Sequence, residues 1–406
     1  MLGATDNGQD ASYRSPGVRT TSPLDRLVIR PIAAADHTNF ARTHSASFLQ
    51  TPEWAGVKPG WRPESLGWFR ADDVNSEQLL GTALVLHRQV PAIGRSLAYV
   101  PEGPVLPWAN VLASPPQWLD PFVAHLRAQR AFAVRIGPHQ VVRLWHSATA
   151  KRGLVDPQVR RFGDLIPDEL VPDGAQLVNV LRKLGWRSLD EAAPSGSFGG
   201  GQPRFGLRID LRGKTSAELL AETNQQWRRN VSRSAKAGVV VREGGRGDIE
   251  TFHRLYRETA ERDSFIPRPA PYFDGMWQAL ASTSEPLLRI YLAELGPDRE
   301  PLAAALTIQV GGHCWYSYGA STSRHREAQG STALQWAAIC AAQARGCHTY
   351  DMRGIADTLD QEEPLTGLVR FKLSTGGSCV ETVGEWEWTL SPFWNRAHKL
   401  YLRSRS

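Results

Sequence analysis

The stretch Phe205-Gly-Leu-Arg-Ile-Asp-Leu211 decides the fold prediction, because it begins a second copy of a pattern that the chain has already shown once. Its apolar residues alternate with small or polar ones, which predicts a half-buried β-strand. It follows Ser195-Gly-Ser-Phe-Gly-Gly-Gly-Gln-Pro203, whose glycine and serine content predicts a loop or linker. The sequence therefore divides into two halves near residue 204.

Strands and helices are predicted in a similar order on both sides of this linker. Before it, strands are predicted at 27–32, 81–90, 95–100 and 131–136, and helices at 118–130 and 175–185. After it, helices are predicted at 216–237, from Asp248 onward and at 331–345, and strands at 239–242, 288–293, 301–310, 314–320 and 348–352. Successive strands favour antiparallel hairpins, so the order predicts a duplicated α/β (mixed α+β) fold with flanking helices.

Composition and charge limit the class of protein. The chain has 406 residues, a formal charge of +6 and a pI near 9.2, which fit a globular protein that meets anionic partners. None of its four cysteines forms a Cys-x-x-Cys pair, and buried free thiols are typical of a reducing compartment. No apolar run has the length of a membrane span or the pattern of a signal peptide. We therefore expect a cytoplasmic protein whose residues 1–26 form a disordered tail.

The predicted helix at 216–237 is basic on one face. Arg229, Arg233 and Lys236 follow helical spacing and form a positive stripe, while Trp227 and Val231 lie on another side. The stripe is a candidate binding surface for a polyanion, although a solvated charged face is the alternative. The C-terminal end is also basic, through Arg396, Lys399, Arg403 and Arg405.

Several common chemistries are absent from the sequence. It contains no His-Glu-x-x-His, P-loop lysine, EF-hand loop or serine nucleophile elbow, and its histidines are scattered, so no metal and no cofactor are expected. An acyl-CoA-dependent N-acyltransferase is one candidate for a duplicated mixed sheet. The loop that would bind its pyrophosphate has Arg326 four residues before Gly330, where such enzymes have three, and it is poor in glycine. This spacing weakens the acyl-CoA hypothesis.

Seven short segments together resemble the Fem family (FemA, FemB and FemX) of aminoacyl-tRNA-dependent transferases that build peptidoglycan cross-bridges. In chain order they are Gln50-Thr-Pro-Glu-Trp-Ala-Gly-Val-Lys58, Tyr99-Val-Pro-Glu-Gly-Pro-Val105, Trp227-Arg-Arg-Asn-Val231, Glu261-Arg-Asp-Ser-Phe265, Trp315-Tyr-Ser-Tyr-Gly-Ala-Ser321, Tyr350-Asp-Met-Arg-Gly-Ile355, and Arg370-Phe-Lys372 followed by Gly376-Gly377. Each segment alone is a weak signal. Their order and spacing from about Leu27 to the C-terminus make the resemblance specific.

The resemblance implies two tandem acetyltransferase-like (GNAT-type) domains that face each other across a central cleft. The first would comprise residues 27–204 together with 384–406, which return to it, and the second would comprise residues 205–383. No heptad run follows Phe205, so the chain resembles FemX-like members that lack a coiled-coil arm. The implied partners are an aminoacyl-tRNA and a peptidoglycan precursor, UDP-linked or lipid-linked. The stripe of Arg229, Arg233 and Lys236 and the basic C-terminal end would then suit tRNA phosphates or the inner face of an anionic membrane. No DNA partner is expected, and a monomer is expected.

The resemblance also implies a set of site residues. By motif match, Lys58, Trp61, Arg268 and Tyr272 would bind the nucleotide or diphosphate region of the precursor, and Tyr99 and Tyr318 would line the same cleft. Lys372 would be the catalytic residue, near the terminal adenosine of the tRNA and the reacting ester. The amine that attacks this ester must lose a proton. Asp351 and Glu385 are candidate bases only because each lies at the end of a predicted strand, and proton transfer through the substrate is equally open.

Other assignments of these residues and of the function stay open. The tyrosines are alternatively core residues, Arg268 an ion-pair partner of Glu261 or Asp263, and Lys372 a solvated lysine at the end of a strand. The same tRNA-dependent transfer onto a small-molecule amine is an alternative function. An acyl-CoA N-acyltransferase and a non-enzymatic RNA-binding module are further alternatives.

Overall fold

The first half of the chain alternates short strands and helices. The computed structural model describes residues 26–71, 78–90, 94–190, 201–363 and 365–403; the predicted tail and most of the predicted linker lie outside these ranges. The strands are β1 Leu27–Pro31, β2 Arg62–Arg70, β3 Gly81–Val90, β4 Arg95–Val100, β5 Ala131–Ile136, β6 Val141–Trp145, β7 Glu169–Leu170 and β8 Arg187–Ser188. The helices are α1 Ala34–Thr43, α2 Pro52–Ala55, α3 Trp108–Ala113, α4 Pro115–Ala128, α5 Ser147–Val155 and α6 Pro172–Lys183.

The second half repeats this alternation with longer strands. Its strands are β9 Phe205–Asp210, β10 Val239–Glu243, β11 Leu288–Leu295, β12 Glu300–Val310, β13 His313–Ser321, β14 Thr349–Gly354, β15 Ser378–Thr382 and β16 Trp386–Thr389. Its helices are α7 Ser216–Glu222, α8 Gln225–Lys236, α9 Ile249–Asp263, α10 Ala270–Leu280, α11 Gly330–Ala344, α12 Thr366–Leu373 and α13 Pro392–Arg403. The opening Phe205 segment is a strand, as the alternation predicts.

The strands form two mixed sheets with a repeated layout. One sheet has the order β1-β2-β3-β4-β5-β16-β8 and the other the order β10-β11-β12-β13-β14-β9-β15-β6-β7. In each, antiparallel strands lead into one parallel pair, β4 with β5 and β13 with β14, and helices make the crossover between its strands. The predicted fold class, mixed α/β with two sheets, is therefore confirmed.

The two sheets exchange strands. Strands β6 and β7 come from the first half but extend the second sheet, because β6 pairs with β15. In the other direction, β16 pairs with β5 and β8 of the first sheet. The chain thus crosses repeatedly between the two sheets, and the domain division at residue 204 remains a prediction.

The predicted single helix at 216–237 is wrong, since the chain forms α7 and α8 with a break at Thr223 and Asn224. The Thr223 hydroxyl donates to the Leu220 carbonyl at 2.7 Å, and the Asn224 side chain accepts from the Trp227 backbone N–H at 2.7 Å. Asn224 is thus an N-cap that starts a second helix. Its own backbone N–H donates to the Ser374 carbonyl at 3.0 Å, so tertiary contact stabilises the break.

One hydrophobic core crosses between the two halves. Phe48 and Trp54, from the first half, are buried with Phe252, Phe273 and Trp315, from the second. The rings of Phe48 and Trp315 meet edge to face, with centroids 5.3 Å apart. Because separating the two halves would expose this core to water, the core stabilises their association.

Candidate functional site

Six aromatic and cationic side chains from both halves of the chain form a connected cluster. We call this cluster the aromatic cleft; it comprises Lys58, Trp61, Tyr99, Arg268, Tyr272 and Tyr318. The Tyr318 hydroxyl donates to the Tyr272 hydroxyl at 3.2 Å, and the rings of Trp61 and Tyr99 lie 6.0 Å apart. The two groups are joined by the Trp61 backbone N–H, which donates to the Lys58 carbonyl at 2.9 Å, so all six residues predicted to bind substrate are connected. Their role in binding remains a prediction.

Two cations flank one tyrosine ring at one end of the aromatic cleft. The Lys58 Nζ lies 5.8 Å from the centroid of the Tyr272 ring, and the Arg268 guanidinium carbon lies 5.4 Å from it. Burial and then the charge of Arg268 lower the pKa of Lys58, so two like charges are close together. An anion between these two cations would relieve their repulsion, and the forked guanidinium suits a phosphate.

Local structure explains how both cations reach the same ring. Lys58 follows the short helix α2, and its ammonium also lies 5.1 Å from the ring of the buried Trp54. Arg268 precedes α10, whose first turn carries Tyr272. The alternative ion pair of Arg268 with Asp263 is not formed, because Asp263 pairs instead with Arg262 at 2.9 Å.

At the other end of the aromatic cleft, Tyr99 is hydrogen-bonded to a buried carboxylate. Its hydroxyl donates to Glu385 Oε1 at 2.5 Å, and the Gln202 side-chain amide donates to the same hydroxyl at 3.4 Å. Burial raises the pKa of Glu385, and the hydrogen bond from Tyr99 opposes this only in part. A Cβ atom on Gly201 would lie 1.9 Å from Glu385 Oε2, so only glycine leaves room for the carboxyl group there.

Glu385 and Gln202, the two hydrogen-bond partners of Tyr99, also line a small cavity, which we call the inner polar cavity. Arg353 lies in it with a left-handed backbone (φ 62°) and donates to Glu102 at 2.7 Å and to Gln202 at 2.8 Å. The cavity is lined by charged and polar residues from both sheets: Glu102, His139, Gln202, Arg208, Asp351, Arg353 and Glu385. Only Asp351 and Glu385 of this set were singled out from the sequence, although Glu102 and Arg353 lie inside the motifs Tyr99-Val-Pro-Glu and Tyr350-Asp-Met-Arg.

The two carboxylates considered as bases differ in their surroundings. Asp351 Oδ2 lies 3.0 Å from Arg208 and 3.5 Å from His313. Although burial alone would raise the pKa of Asp351, His313 and Arg208 hold it well below its usual range. Glu385 has no ion pair within the described ranges, and its pKa is raised instead. A general base works best when its pKa lies near the operating pH, so the geometry favours Glu385 over Asp351.

Lys372 is buried in helix α12, and the alternative of a solvated lysine at the end of a strand is wrong. Its ammonium donates to the Met352 carbonyl at 2.6 Å and to the Gly354 carbonyl at 2.7 Å. These two carbonyls flank Arg353, so Lys372 fixes the backbone that directs Arg353 into the inner polar cavity. Burial lowers the pKa of Lys372 to about 8. Its predicted catalytic role remains a prediction.

The lowered pKa of Lys372 predicts a specific pH dependence of stability. Between pH 8 and about 10.4 the unfolded chain binds a proton that the folded chain has lost, so the free energy of unfolding rises with pH in this window. Replacing Lys372 by Met removes this term. Between pH 8 and 10, the free energy of unfolding of the wild-type protein should therefore rise relative to that of Lys372→Met by up to about 1.4 kcal/mol per pH unit. Urea unfolding of both proteins across this range measures the difference.

The surface lysine Lys214, which pairs with Glu222 at 2.7 Å, supplies the control. The Lys214→Met variant should keep the wild-type slope of stability against pH. Equal slopes in the wild type and Lys372→Met would show that Lys372 keeps an ordinary pKa in the folded protein.

A second cavity lies in the second half of the molecule, between α8, β13 and the start of α11. We call it the α8–α11 cavity; it is lined by polar residues that include Gln226, Asn230, Arg262, Gln329 and Thr332, and by Leu368 and Phe371 of α12. The ring of Trp227 packs against that of Phe371, with centroids 5.5 Å apart. Arg229, Arg233 and Lys236 are all exposed along α8, as their spacing predicts. Their binding of tRNA remains a prediction.

A duplicated acetyltransferase-like architecture with a polar cleft between its sheets defines the class of this protein. The chain belongs to the FemAB family, whose family model matches residues 32–295 and 288–401. The family predicted from the seven segments is therefore confirmed. In the described part of the chain the longest helices, α9 and α11, have 15 residues each, so this part contains no long two-helix arm.

Individual relatives are similar over most of their length. The Lipid II:glycine glycyltransferase of Staphylococcus saprophyticus subsp. saprophyticus is 23% identical over 417 residues, covering 87% of this chain and 91% of that protein. The protein of the same description from Staphylococcus aureus (strain USA300) is 22% identical over 429 residues, covering 89% and 92%. A crystal structure of FemX matches with a TM-score of 0.74 at 21% identity, covering 91% of this chain and 99% of that one. This likeness confirms the fold.

None of the helices in the described ranges combines the length and the apolar character needed to cross a bilayer.

Proposed function

We propose that this protein transfers an amino acid from an aminoacyl-tRNA to an amine of a peptidoglycan precursor, as a step of cross-bridge formation in cell-wall synthesis. The similar proteins described as Lipid II:glycine glycyltransferases support this class of acceptor. The observation that carries the proposal is the aromatic cleft, in which a pair of cations flanks Tyr272 while Tyr99 is hydrogen-bonded to the buried carboxylate of Glu385, whose pKa is raised. A precursor that has a diphosphate at one end and an amine on its stem peptide carries complementary groups.

The cation pair is proposed to hold the diphosphate. Lys58 supplies a point charge and Arg268 supplies a fork of N–H donors, and both lie within 6 Å of the Tyr272 ring. The rings of Trp61, Tyr272 and Tyr318 give flat apolar surfaces on which a sugar or base can stack. Because binding at a remote phosphate helps to position the reacting amine, we expect these residues to contribute to both affinity and rate.

Glu385 is proposed to accept the proton of the attacking amine. The neutral amine attacks the carbonyl carbon of the ester, the new C–N bond forms, and the C–O bond to the tRNA ribose breaks. The proton passes from the nitrogen to the Glu385 carboxylate and then to the leaving ribose oxygen. Burial favours this role because it raises the pKa of Glu385 towards neutrality, and Tyr99 fixes the orientation of the carboxylate.

Arg353 and Lys372 are proposed to stabilise the oxyanion of the tetrahedral intermediate. The Arg353 guanidinium lies in the inner polar cavity, beside the Tyr99–Glu385 pair. Two of the N–H groups of Lys372 are used by backbone carbonyls, which leaves a third. A fixed positive charge near the reacting carbonyl lowers the barrier because no solvent has to reorganise.

The aminoacyl end of the tRNA is proposed to enter through the α8–α11 cavity. This cavity is lined by Phe371, the neighbour of Lys372, and it is bounded by α8, which carries the exposed Arg229, Arg233 and Lys236. The acyl-CoA alternative is weakened here, since Arg324 and His325 both pair with Glu300 and are therefore less available to a pyrophosphate. The proposal implies a protein that works in the cytoplasm, where charged tRNA is present.

Transfer of a labelled amino acid from charged tRNA to the precursor tests the proposed donor. We expect label in the precursor, and we expect RNase treatment of the charged tRNA before the reaction to abolish it. Acetyl-CoA should neither support acyl transfer nor protect the protein. Transfer that survives RNase, or that requires an acyl-CoA, would refute the tRNA-dependent function.

A further inference from the structure

The loop between α9 and α10 exposes apolar side chains beside the cation pair. All residues from Asp263 to Pro269 are exposed. Among them Ile266 is 95% exposed and its neighbour Phe265 is 39% exposed. A single exposed apolar residue is common on protein surfaces, but two adjacent ones leave a continuous apolar area open to solvent.

The conformation of this loop is fixed by its flanks. Ser264 has a left-handed backbone (φ 56°) that ends α9, and the Phe265 N–H donates to the Ala260 carbonyl at 3.1 Å. One side of the Phe265 ring lies against Tyr256, with centroids 5.4 Å apart. Pro267 and Pro269 restrict the backbone that follows. Since the loop is already ordered, contact with a partner costs little conformational entropy.

The position of the loop indicates what that partner is. Ile266 is two residues from Arg268, so their Cα atoms are at most about 7 Å apart. Arg268 and Lys58 form the cation pair proposed above to hold a diphosphate. In a lipid-linked precursor the diphosphate joins the sugar to the lipid chain, so it lies at the membrane surface directly above the hydrocarbon. A protein that binds this diphosphate therefore places the neighbouring residues close to the hydrocarbon of the membrane.

We infer that the 264–269 loop docks the protein on the membrane: Phe265 and Ile266 insert into the bilayer surface while Arg268 and Lys58 hold the diphosphate of a lipid-linked precursor. The inference rests on the proposed function and commits it to the lipid-linked form of the acceptor. Phe265 and Ile266 would contact the hydrocarbon, and Arg268 and Lys58 would contact the phosphates above it. In a bilayer the phosphates lie outside the hydrocarbon in the same way. The local charge is mixed, because Glu261 and Asp263 are also exposed, but Arg262 pairs with Asp263 at 2.9 Å.

Vesicle binding of full-length variants tests the docking loop without any need for transfer. Ile266→Ser should lower the partition coefficient on mixed phosphatidylcholine and phosphatidylglycerol vesicles by about five- to tenfold, since an apolar side chain no longer enters the bilayer. Ile266→Trp should raise it, because tryptophan favours the membrane interface. Loss of folding would not produce changes in opposite directions. The control Val240→Ser removes another exposed apolar residue, which is 64% exposed on β10, and should leave binding unchanged.

Transfer assays with two acceptors then separate membrane docking from precursor recognition. For lipid-linked precursor in vesicles, KM of Ile266→Ser should rise in proportion to the lost binding. For soluble UDP-linked precursor, KM should stay within about twofold of the wild type, because no bilayer is involved. Equal increases for both acceptors, or vesicle binding of Ile266→Ser equal to that of the wild type, would overturn the inference. Failure of transfer with both acceptors while vesicle binding still depends on Ile266 would refute the proposed function but support the docking loop.

Discussion

Replacing Glu385 by Gln should lower kcat for amino acid transfer by about 10²- to 10⁴-fold, the usual contribution of a general base. Glutamine keeps the size of the side chain and can still accept the hydrogen bond from Tyr99, but it cannot take a proton. Binding of the precursor should change little, since the cation pair lies at the other end of the aromatic cleft. Single-turnover rates with charged tRNA and saturating precursor measure the effect.

The pH profile distinguishes a base from a structural residue. Because the carboxylate is the active form and the pKa of Glu385 is raised, the wild-type rate should fall as the pH drops through that raised pKa. Glu385→Gln should lack this acid limb. The control Glu294→Gln changes another buried carboxylate, which pairs with Arg242 at 2.9 Å on the outer part of the second sheet, and should leave kcat within about threefold of the wild type. A Glu385→Gln variant with wild-type kcat would show that the proton leaves by another route.

Replacing Arg268 by Ala should weaken precursor binding by about 10- to 100-fold, because charge-assisted hydrogen bonds contribute about 1.5–3 kcal/mol each. Arg268 is exposed and its guanidinium lies over the Tyr272 ring, so its loss leaves the core intact. Titration calorimetry with UDP-linked precursor measures the dissociation constant without a contribution from membrane docking. The effect should diminish at high salt as screening weakens the phosphate contact.

Arg257 provides the matched control, since it is an exposed arginine on the adjoining helix α9. Arg257→Ala should bind the precursor as the wild type does. Equal affinities of Arg268→Ala and the wild type would place the diphosphate elsewhere and would remove the main support for the cation pair as an anion site.

The sequence predicted the fold class well because strand alternation and helix spacing are local properties. The repeated order of elements on either side of Phe205 is enough to indicate duplication. The placement of β6 in the second sheet is not local, because it depends on which edge strand this segment meets in space, and the return of residues 384–406 to the first domain was expected only from the family resemblance. The break between α7 and α8 was missed for a similar reason: Asn224 reads as a tolerated helix residue, and its backbone contact with Ser374 is visible only in three dimensions.

The sequence predicted individual residues of the candidate site, and the structure shows which of them are in contact. Motif matches were enough to name Lys58, Arg268 and Tyr272, which converge on one ring. No motif distinguished Asp351 from Glu385, because burial and neighbouring charges decide their pKa values. Lys372 illustrates the same limit, since its two backbone acceptors lie 20 and 18 residues away along the chain.

The mass of the precursor after incubation with a mixture of charged tRNAs tests the central claim most directly. The proposed function predicts a product heavier by one aminoacyl residue, which fragmentation places on an amine of the stem peptide, and it predicts almost none of this product with Glu385→Gln. An unchanged precursor with every charged tRNA, in both its UDP-linked and lipid-linked forms, would contradict the claim. So would a product heavier by an acetyl group formed from acetyl-CoA.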